Sequence, residues 1–348
     1  MDQSDEESNT KMGEGCCLWS IASNIITYSV LAWAGVQFSH LIKRLFIHGF
    51  GSYPSFTSYG TWAVVTGCTD GIGLSYAKEL ARRGMKIVLI SRNPKKLEAV
   101  ALRPKLLNSQ SEEQFDTETL MIPADFTELD IYDGIKEKVA GRDIGVLVNN
   151  VGMASDPQPF LDVPEGEKTF QDMLLVNNMS MVRMTHMILP GMVKKGKGVV
   201  INVSSVAGIS PVPFMTTYSA TKFSRTSLNK VEKFVLFITL TIRKDVTRTR
   251  GIEYQRSSKN LDSKFVYTKM ADKFLDRPGL TAPTPDTFVR SDLRSIPKIQ
   301  VTSGYWFHNL MREASRFVNY VAPQEMTNMI GRHVTSEMEK NKKKHKNQ

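Results

Sequence analysis

The chain is 348 residues long, 41% hydrophobic and formally +10 at neutral pH. That length holds one large domain with appendages and a sizeable core. Its three cysteines, Cys16, Cys17 and Cys68, give no disulfide framework and no metal-ligand spacing, and they suit a reducing compartment. The positive charge is spread out except at Lys342-Lys343-Lys344 and Lys346, and no basic–aromatic motif accompanies it. A tail near anionic lipid explains that run at least as well as nucleic acid, so no nucleic-acid partner is expected.

Residues 1–15 are polar and acidic, a composition that does not build a core. From Gly15 to Ile42 there is no Asp, Glu, Lys or Arg. Residues 16–42 therefore read as a membrane anchor rather than a cleaved signal, since no strongly basic start or suitable cleavage site is present. Ser20, Ser23, Asn24 and Thr27 form a polar stripe at helical spacing. The stripe leaves two alternatives to spanning: a helix lying in the interface, or a buried soluble helix. Lys43 and Arg44 follow the segment and only Lys11 precedes it, which puts the main domain on the cytosolic side.

Thr61 to Thr66 reads as a first strand, followed by the turn Gly67-Cys68-Thr69-Asp70-Gly71-Ile72-Gly73 and a helix from Leu74 to Arg83. Three glycines let the backbone turn sharply and approach a pyrophosphate, whose charge then faces the helix amino terminus. A second strand, Lys86 to Ile90, ends in Ser91-Arg92-Asn93. An acid here would hold a ribose 2′-hydroxyl; Arg92 instead suits a 2′-phosphate, which favours NADP over NAD. A third strand, Thr119 to Pro123, precedes Asp125, which either meets an adenine amino group or caps a turn. A fourth, Gly145 to Val148, ends in Asn149-Asn150-Val151-Gly152. The helical stretch Thr169 to Val193 contains Asn177, an amide that is unfavourable inside a helix unless it has a task. Two glycosylation sequons, at Asn178 and Asn202, fall in segments expected to be core and are read as chance matches.

The apolar run Val199 to Val203 reads as a buried strand with Ser205 at its carboxyl end. Ligands of open α/β sheets bind at such ends. Tyr218 and Lys222 stand four residues apart, so on one helix both side chains share a face. A hydroxyl, a phenol and an ammonium then converge, and a close ammonium is expected to lower the phenol's pKa toward neutral pH.

Taken together, these residues resemble the short-chain dehydrogenase/reductase family. Thr66 to Gly73 matches its TGxxxGIG signature, and Asn149-Asn150-Val151-Gly152 stands for its NNAG. Asn177, Ser205, Tyr218 and Lys222 match its catalytic tetrad in order and spacing. Within the family the chain is most similar to the membrane-bound very-long-chain 3-oxoacyl-CoA reductases and related 17β-hydroxysteroid dehydrogenases, with Ser303-Gly304-Tyr305-Trp306-Phe307-His308 as a late supporting piece. The resemblance implies a Rossmann-like doubly wound parallel sheet over about 57–320, an N-terminal membrane-anchor helix, a C-terminal substrate-lid region, and a C-terminal helix and basic tail over 321–348. It implies reduction of a lipid carbonyl, an acyl-CoA or a steroid, with NADPH. Tyr218 would give the proton, Lys222 would lower its pKa and bind the nicotinamide ribose, Ser205 would bond the carbonyl oxygen, and Asn177 would hold a relay water. Gly67, Thr69, Asp70, Gly71, Ile72, Gly73, Arg92, Asp125, Asn150, Tyr218, Lys222 and Thr268 would contact NADP(H), with Thr268 at the nicotinamide carboxamide. A homodimer is an expected option. Lys344 and Lys346 resemble a dilysine retrieval signal, which implies the endoplasmic-reticulum membrane with the catalytic domain in the cytosol.

The chain departs from the family after Lys222. Phe234 to Ile242 is apolar and β-branched, which suits a strand where the family continues a helix. Gly251 to Gln255 looks like the next expected strand, and Arg256 to Lys264 after it is polar and lacks the Pro-Gly turn of the family. The segment 223–264 either loops out or impairs the fold, so a non-catalytic binding or scaffold member, and a retinol or other lipid-alcohol dehydrogenase, stand as alternatives. Leu280, Phe288, Trp306, Phe307 and Leu310 offer apolar surface to a long substrate or, equally, pack a core.

Overall fold

The computed structural model describes 52–106, 117–208, 212–225, 258–261, 278–296 and 301–321 as continuous runs, with single positions or short groups between 23 and 47, at 266 and 268, and between 328 and 336. The chain divides into two units, Met1–Phe46 and Ile47–Gln348. In the first, the described positions are helical, and Ile25, Tyr28, Trp33 and Phe38 are exposed. Among the described residues no helix is long and apolar enough to cross a membrane. Part of the expected anchor, 16–22, lies outside the described residues.

The second unit alternates strands and helices. Its elements are β1 (Trp62–Thr66), α1 (Gly71–Arg82), β2 (Lys86–Ser91), α2 (Pro94–Leu106), β3 (Thr119–Pro123), α3 (Ile131–Val139), β4 (Ile144–Asn149), α4 (Gly166–Leu174), α5 (Ser180–Lys195) and β5 (Val199–Val203). Then follow α6 (216–225), β6 (Ser258–Leu261), α7 (Pro285–Arg294), β7 (Val301–Thr302) and α8 (Trp306–Val321). The strands form one parallel sheet in the order β3-β2-β1-β4-β5-β6-β7. The order reverses between β1 and β4, and the crevice at that switch point is where such sheets take ligands.

Side-chain alternation explains the continuous apolar runs. Val65, Leu89, Val148 and Ile201 face one side, against Tyr76 and Leu80 of α1 and Phe288, Val289 and Leu293 of α7. Val64, Val88, Ile90, Leu147 and Val200 face the other, against Tyr132 and Ile135 of α3 and Met184, Ile188 and Met192 of α5. A strand covered on both faces has no polar positions to alternate with.

Two expectations change here. The sixth strand is Ser258–Leu261, inside the polar stretch that follows the expected strand, in parallel register with Val200–Val203. Main-chain bonds to β5 make it a strand, and those leave no apolar run to read. The expected strands at Phe234 to Ile242 and Gly251 to Gln255 lie outside the described residues. Phe288 is fully buried in the core, whereas Leu280, Trp306 and Leu310 keep 53%, 37% and 39% of their surface exposed. Those three, and the half-buried Phe307, keep apolar surface outside the core, while Phe288 takes the core-packing alternative.

Candidate active site

Thr66 closes β1 and ties the two ligand-facing turns together. Its Oγ1 donates to the Val148 carbonyl at 3.2 Å and accepts from the Asn150 and Val151 amides at 3.0 and 3.1 Å. Asn150 Nδ2 returns two bonds, to the Thr66 and Gly67 carbonyls, each at 3.0 Å. Gly67 and Gly71 hold φ of +64° and +55°, the left-handed region that glycine adopts without strain. A Cβ on Gly73 would stand 2.3 Å from the Gly67 carbonyl oxygen and 2.4 Å from Asn150 Nδ2. Only a hydrogen fits there, so α1 can start hard against β1. Asp70 caps that start by accepting from the Gly71 amide at 2.8 Å. The cradle therefore fits a dinucleotide's pyrophosphate: backbone at close approach under a helix amino terminus.

Around the cradle, Thr69 Oγ1 and Ser91 Oγ share a hydrogen bond of 3.1 Å, and Arg92 stands exposed beside them. Asp125 spends Oδ1 on the Thr127 amide and hydroxyl at 3.1 and 3.0 Å, which is the turn-capping alternative of its two readings. Thr268 lies against the glycine turn, with Cγ2 3.2 Å from where a Gly71 Cβ would be. Ile72 packs on the core at the first turn of α1.

Asn177 is completely buried and sits in a π-helical turn, Leu175–Met179, that interrupts the long helix expected over 169–193. The turn closes with the Ser180 amide on the Leu175 carbonyl, one residue wider than an α-turn. That extra residue aims Asn177 at the loop after β4. Its Oδ1 accepts from the Met153 amide and its Nδ2 donates to the Met153 carbonyl, both at 2.8 Å, with a further bond to Thr221 Oγ1 at 3.0 Å. A Cβ on Gly152 would lie 3.4 Å from both Asn177 Oδ1 and Lys222 Nζ, so the amide and the amine converge over that glycine. Asn202, one of the sequon asparagines, is 2% exposed and bonded to Asn149 at 2.7 Å, which leaves no room for a glycan.

Ser205 follows β5 and hydrogen-bonds to the Tyr218 phenol. Lys222 Nζ lies 5.4 Å from the centre of the Tyr218 ring. Asn177, Ser205, Tyr218 and Lys222 thus meet at the carboxyl ends of β4 and β5, beside the cradle.

The electrostatics differ from the expectation. Burial pushes the Tyr218 phenol up, and the Ser205 hydroxyl and Arg225 guanidinium pull it partly back. Burial, with Arg225 adding to it, holds the Lys222 amine well below its usual range. Lys222 was expected to lower Tyr218; burial disfavours its charged form and so weakens that pull. Arg225 supplies it instead. This residue escaped sequence reasoning, although 218, 222 and 225 follow the spacing of one helix face.

A family described as short chain dehydrogenase matches residues 61–234. The chain belongs to the short chain dehydrogenase family. Two relatives are very-long-chain 3-oxoacyl-CoA reductases: that of Bos taurus is 44% identical over 74% of this chain and 75% of its own. That of Homo sapiens is 44% identical over 72% of this chain and 73% of its own. A short-chain dehydrogenase from Sphingobium yanoikuyae, solved in complex with NADPH, superposes with a TM-score of 0.53 at 20% identity, over 74% of this chain and 95% of that one. The structural likeness fixes the fold. Family membership makes this short chain dehydrogenase an oxidoreductase.

Proposed function

We propose that the protein reduces the 3-oxo group of a long or very long acyl-CoA with NADPH. The observation that carries this reading is the meeting of Ser205, Tyr218, Lys222 and Asn177 beside the glycine cradle. It occurs in a chain 44% identical to reductases of that substrate class. NADPH, when bound, supplies the hydride. Gly67, Gly71 and Gly73 would hold its pyrophosphate, and Arg92, with Thr69 and Ser91, would meet a 2′-phosphate.

This chain's own groups handle the substrate oxygen and the proton. Ser205 donates a hydrogen bond to the carbonyl oxygen, worth most as negative charge develops there. Tyr218 donates its phenolic proton to the forming alkoxide. Burial raises the phenol further, which favours the protonated form that an acid in the reductive direction needs. Asn177 fixes the loop at Met153 and, with Lys222, lines the position over Gly152 through which a proton can be resupplied.

The reading places the enzyme at the endoplasmic-reticulum membrane, with residues 16–42 as anchor and the reductase domain in the cytosol. The charge-free run to Ile42, the following Lys43 and Arg44, and the exposed apolar side chains Ile25, Trp33 and Phe38 support it.

The deciding experiment is NADPH oxidation by detergent-solubilised protein with a long-chain 3-oxoacyl-CoA, a 17-ketosteroid in parallel, and Tyr218→Phe as control. Tyr218-dependent turnover of the acyl-CoA, faster than of the steroid, is expected. Folded protein that turns over neither substrate sinks the reading.

A further inference from the structure

Arg225 is a fully buried cation with an unusual set of partners. Its Nη1 donates to the Val203 carbonyl at 2.7 Å and, more weakly, to the Val151 carbonyl at 3.5 Å, and its Nε meets Met181 Sδ at 3.3 Å. Among the described residues those partners include no carboxylate, and Nη2 has no hydrogen-bond partner. A guanidinium buried without an acid is costly, so its retention needs a compensating role.

Its position suggests that role. Tyr218, Lys222 and Arg225 follow i, i+4, i+7 on α6 and therefore share one face. Val203 ends β5 just before Ser204-Ser205, and Val151 lies in the turn after β4. One guanidinium thus reaches from the tyrosine helix to both strand ends that border the site. Among the described residues, the groups it bonds on other elements are uncharged, the Val203 and Val151 carbonyls and Met181 of α5, and the titratable groups it acts on are Tyr218 and Lys222 of its own helix.

We propose that Arg225 is a positioning residue of the reductase site, a fixed positive charge that joins the ends of β4 and β5 to the tyrosine helix and acts on Tyr218 from the face of that helix they share. The proposal rests on the reductase reading only for its kinetic consequences. The direction of its action agrees with the geometry, since Arg225 pulls down both the Tyr218 phenol and the Lys222 ammonium. Burial brings the guanidinium itself down to about 10, still charged at neutral pH.

The test reads the phenol directly. Ultraviolet titration of the full chain, minus the same titration of Tyr218→Phe, isolates Tyr218 whether or not the protein turns over any substrate. Arg225→Met should move that titration up by about 1 pH unit, and Arg225→Lys should keep most of the original value. If turnover is present, the alkaline limb of kcat/KM for reduction should move up by the same amount. Met fills the space without an unpaired charge, so folding should survive. Arg225→Gln, which keeps a donor for the Val203 carbonyl, replaces it if it does not. An unmoved phenol in a folded neutral variant overturns the proposal. So does a Lys variant that titrates like the Met variant, or failure of both neutral variants to fold, which would make Arg225 purely structural. Absence of turnover with a shifted phenol would instead count against the reductase reading alone.

Discussion

The two sides of the crevice are held by different physics. On the β1 side, position is enforced by hard contacts and neutral hydrogen bonds: Gly73 admits no Cβ, and Thr66 and Asn150 lace two turns together through five bonds. On the β5 side, a phenol, an amine and a guanidinium are buried together, and their protonation depends on one another. The first arrangement is held by uncharged groups and is indifferent to pH near neutrality. The second is tunable because its charges are desolvated and close. Binding and proton transfer thus rest on separate stabilising principles, and substitutions should fail in separable ways.

The largest separation should come from Tyr218→Phe. It removes the proton donor and should lower turnover by roughly 10²–10⁴-fold while NADPH still binds, which fluorescence titration would check. The converse is Gly73→Ala. Its Cβ would drive α1 from β1, costing about 1–3 kcal/mol in denaturant unfolding and abolishing measurable NADPH binding. Asn177→Leu joins the two sides, because it strips the Met153 amide and carbonyl of their buried partner. A loss of about 2–3 kcal/mol of stability is expected, with turnover falling more than cofactor affinity. Arg92→Ala should weaken NADPH about tenfold and leave NADH unchanged, the equivalent of one charge-assisted bond.

The smallest effect tests the β1 side's indifference to pH near neutrality. Burial pushes the Cys68 thiol, inside the glycine turn, up to about 12. The folded chain keeps a proton that the unfolded chain releases near the ordinary thiol value. Its contribution is therefore fully present below that value and is lost as pH rises toward about 12. Cys68→Ala should flatten the alkaline fall in stability relative to the parent, with no change near neutrality.

This contrast also explains what the sequence discloses. Strands β1, β2, β4 and β5 are legible because burial on both faces forces apolar runs rich in Val, Ile and Leu, and the glycine turn is legible because only glycine tolerates its geometry. Strand β6 is not, since Ser258–Leu261 is recruited by main-chain pairing rather than by apolar pattern. The π turn is invisible because nothing in Leu175–Met179 marks an extra residue, although the buried amide at Asn177 hints at a reason for one. Arg225 left a readable trace in its spacing from Tyr218. It was overlooked because an arginine on a helix is ordinarily a solvated one, and only the fold reveals it as fully buried. The direction of the Tyr218 shift failed for a related reason: proximity to Lys222 is written in the spacing, but desolvation is not.

Strand order has a consequence for how the protein is made. The chain from Trp62 to Val203 contains five neighbouring strands, β3-β2-β1-β4-β5, but the strand that covers the β5 edge begins only at Ser258 and its neighbour at Val301. A ribosome adding about 5–20 residues per second leaves that edge without its partners for several seconds. During that interval the nascent protein carries an open, apolar parallel strand able to pair with another chain. Slower translation across the intervening segment should lengthen the hazard, and chaperone occupancy should peak there.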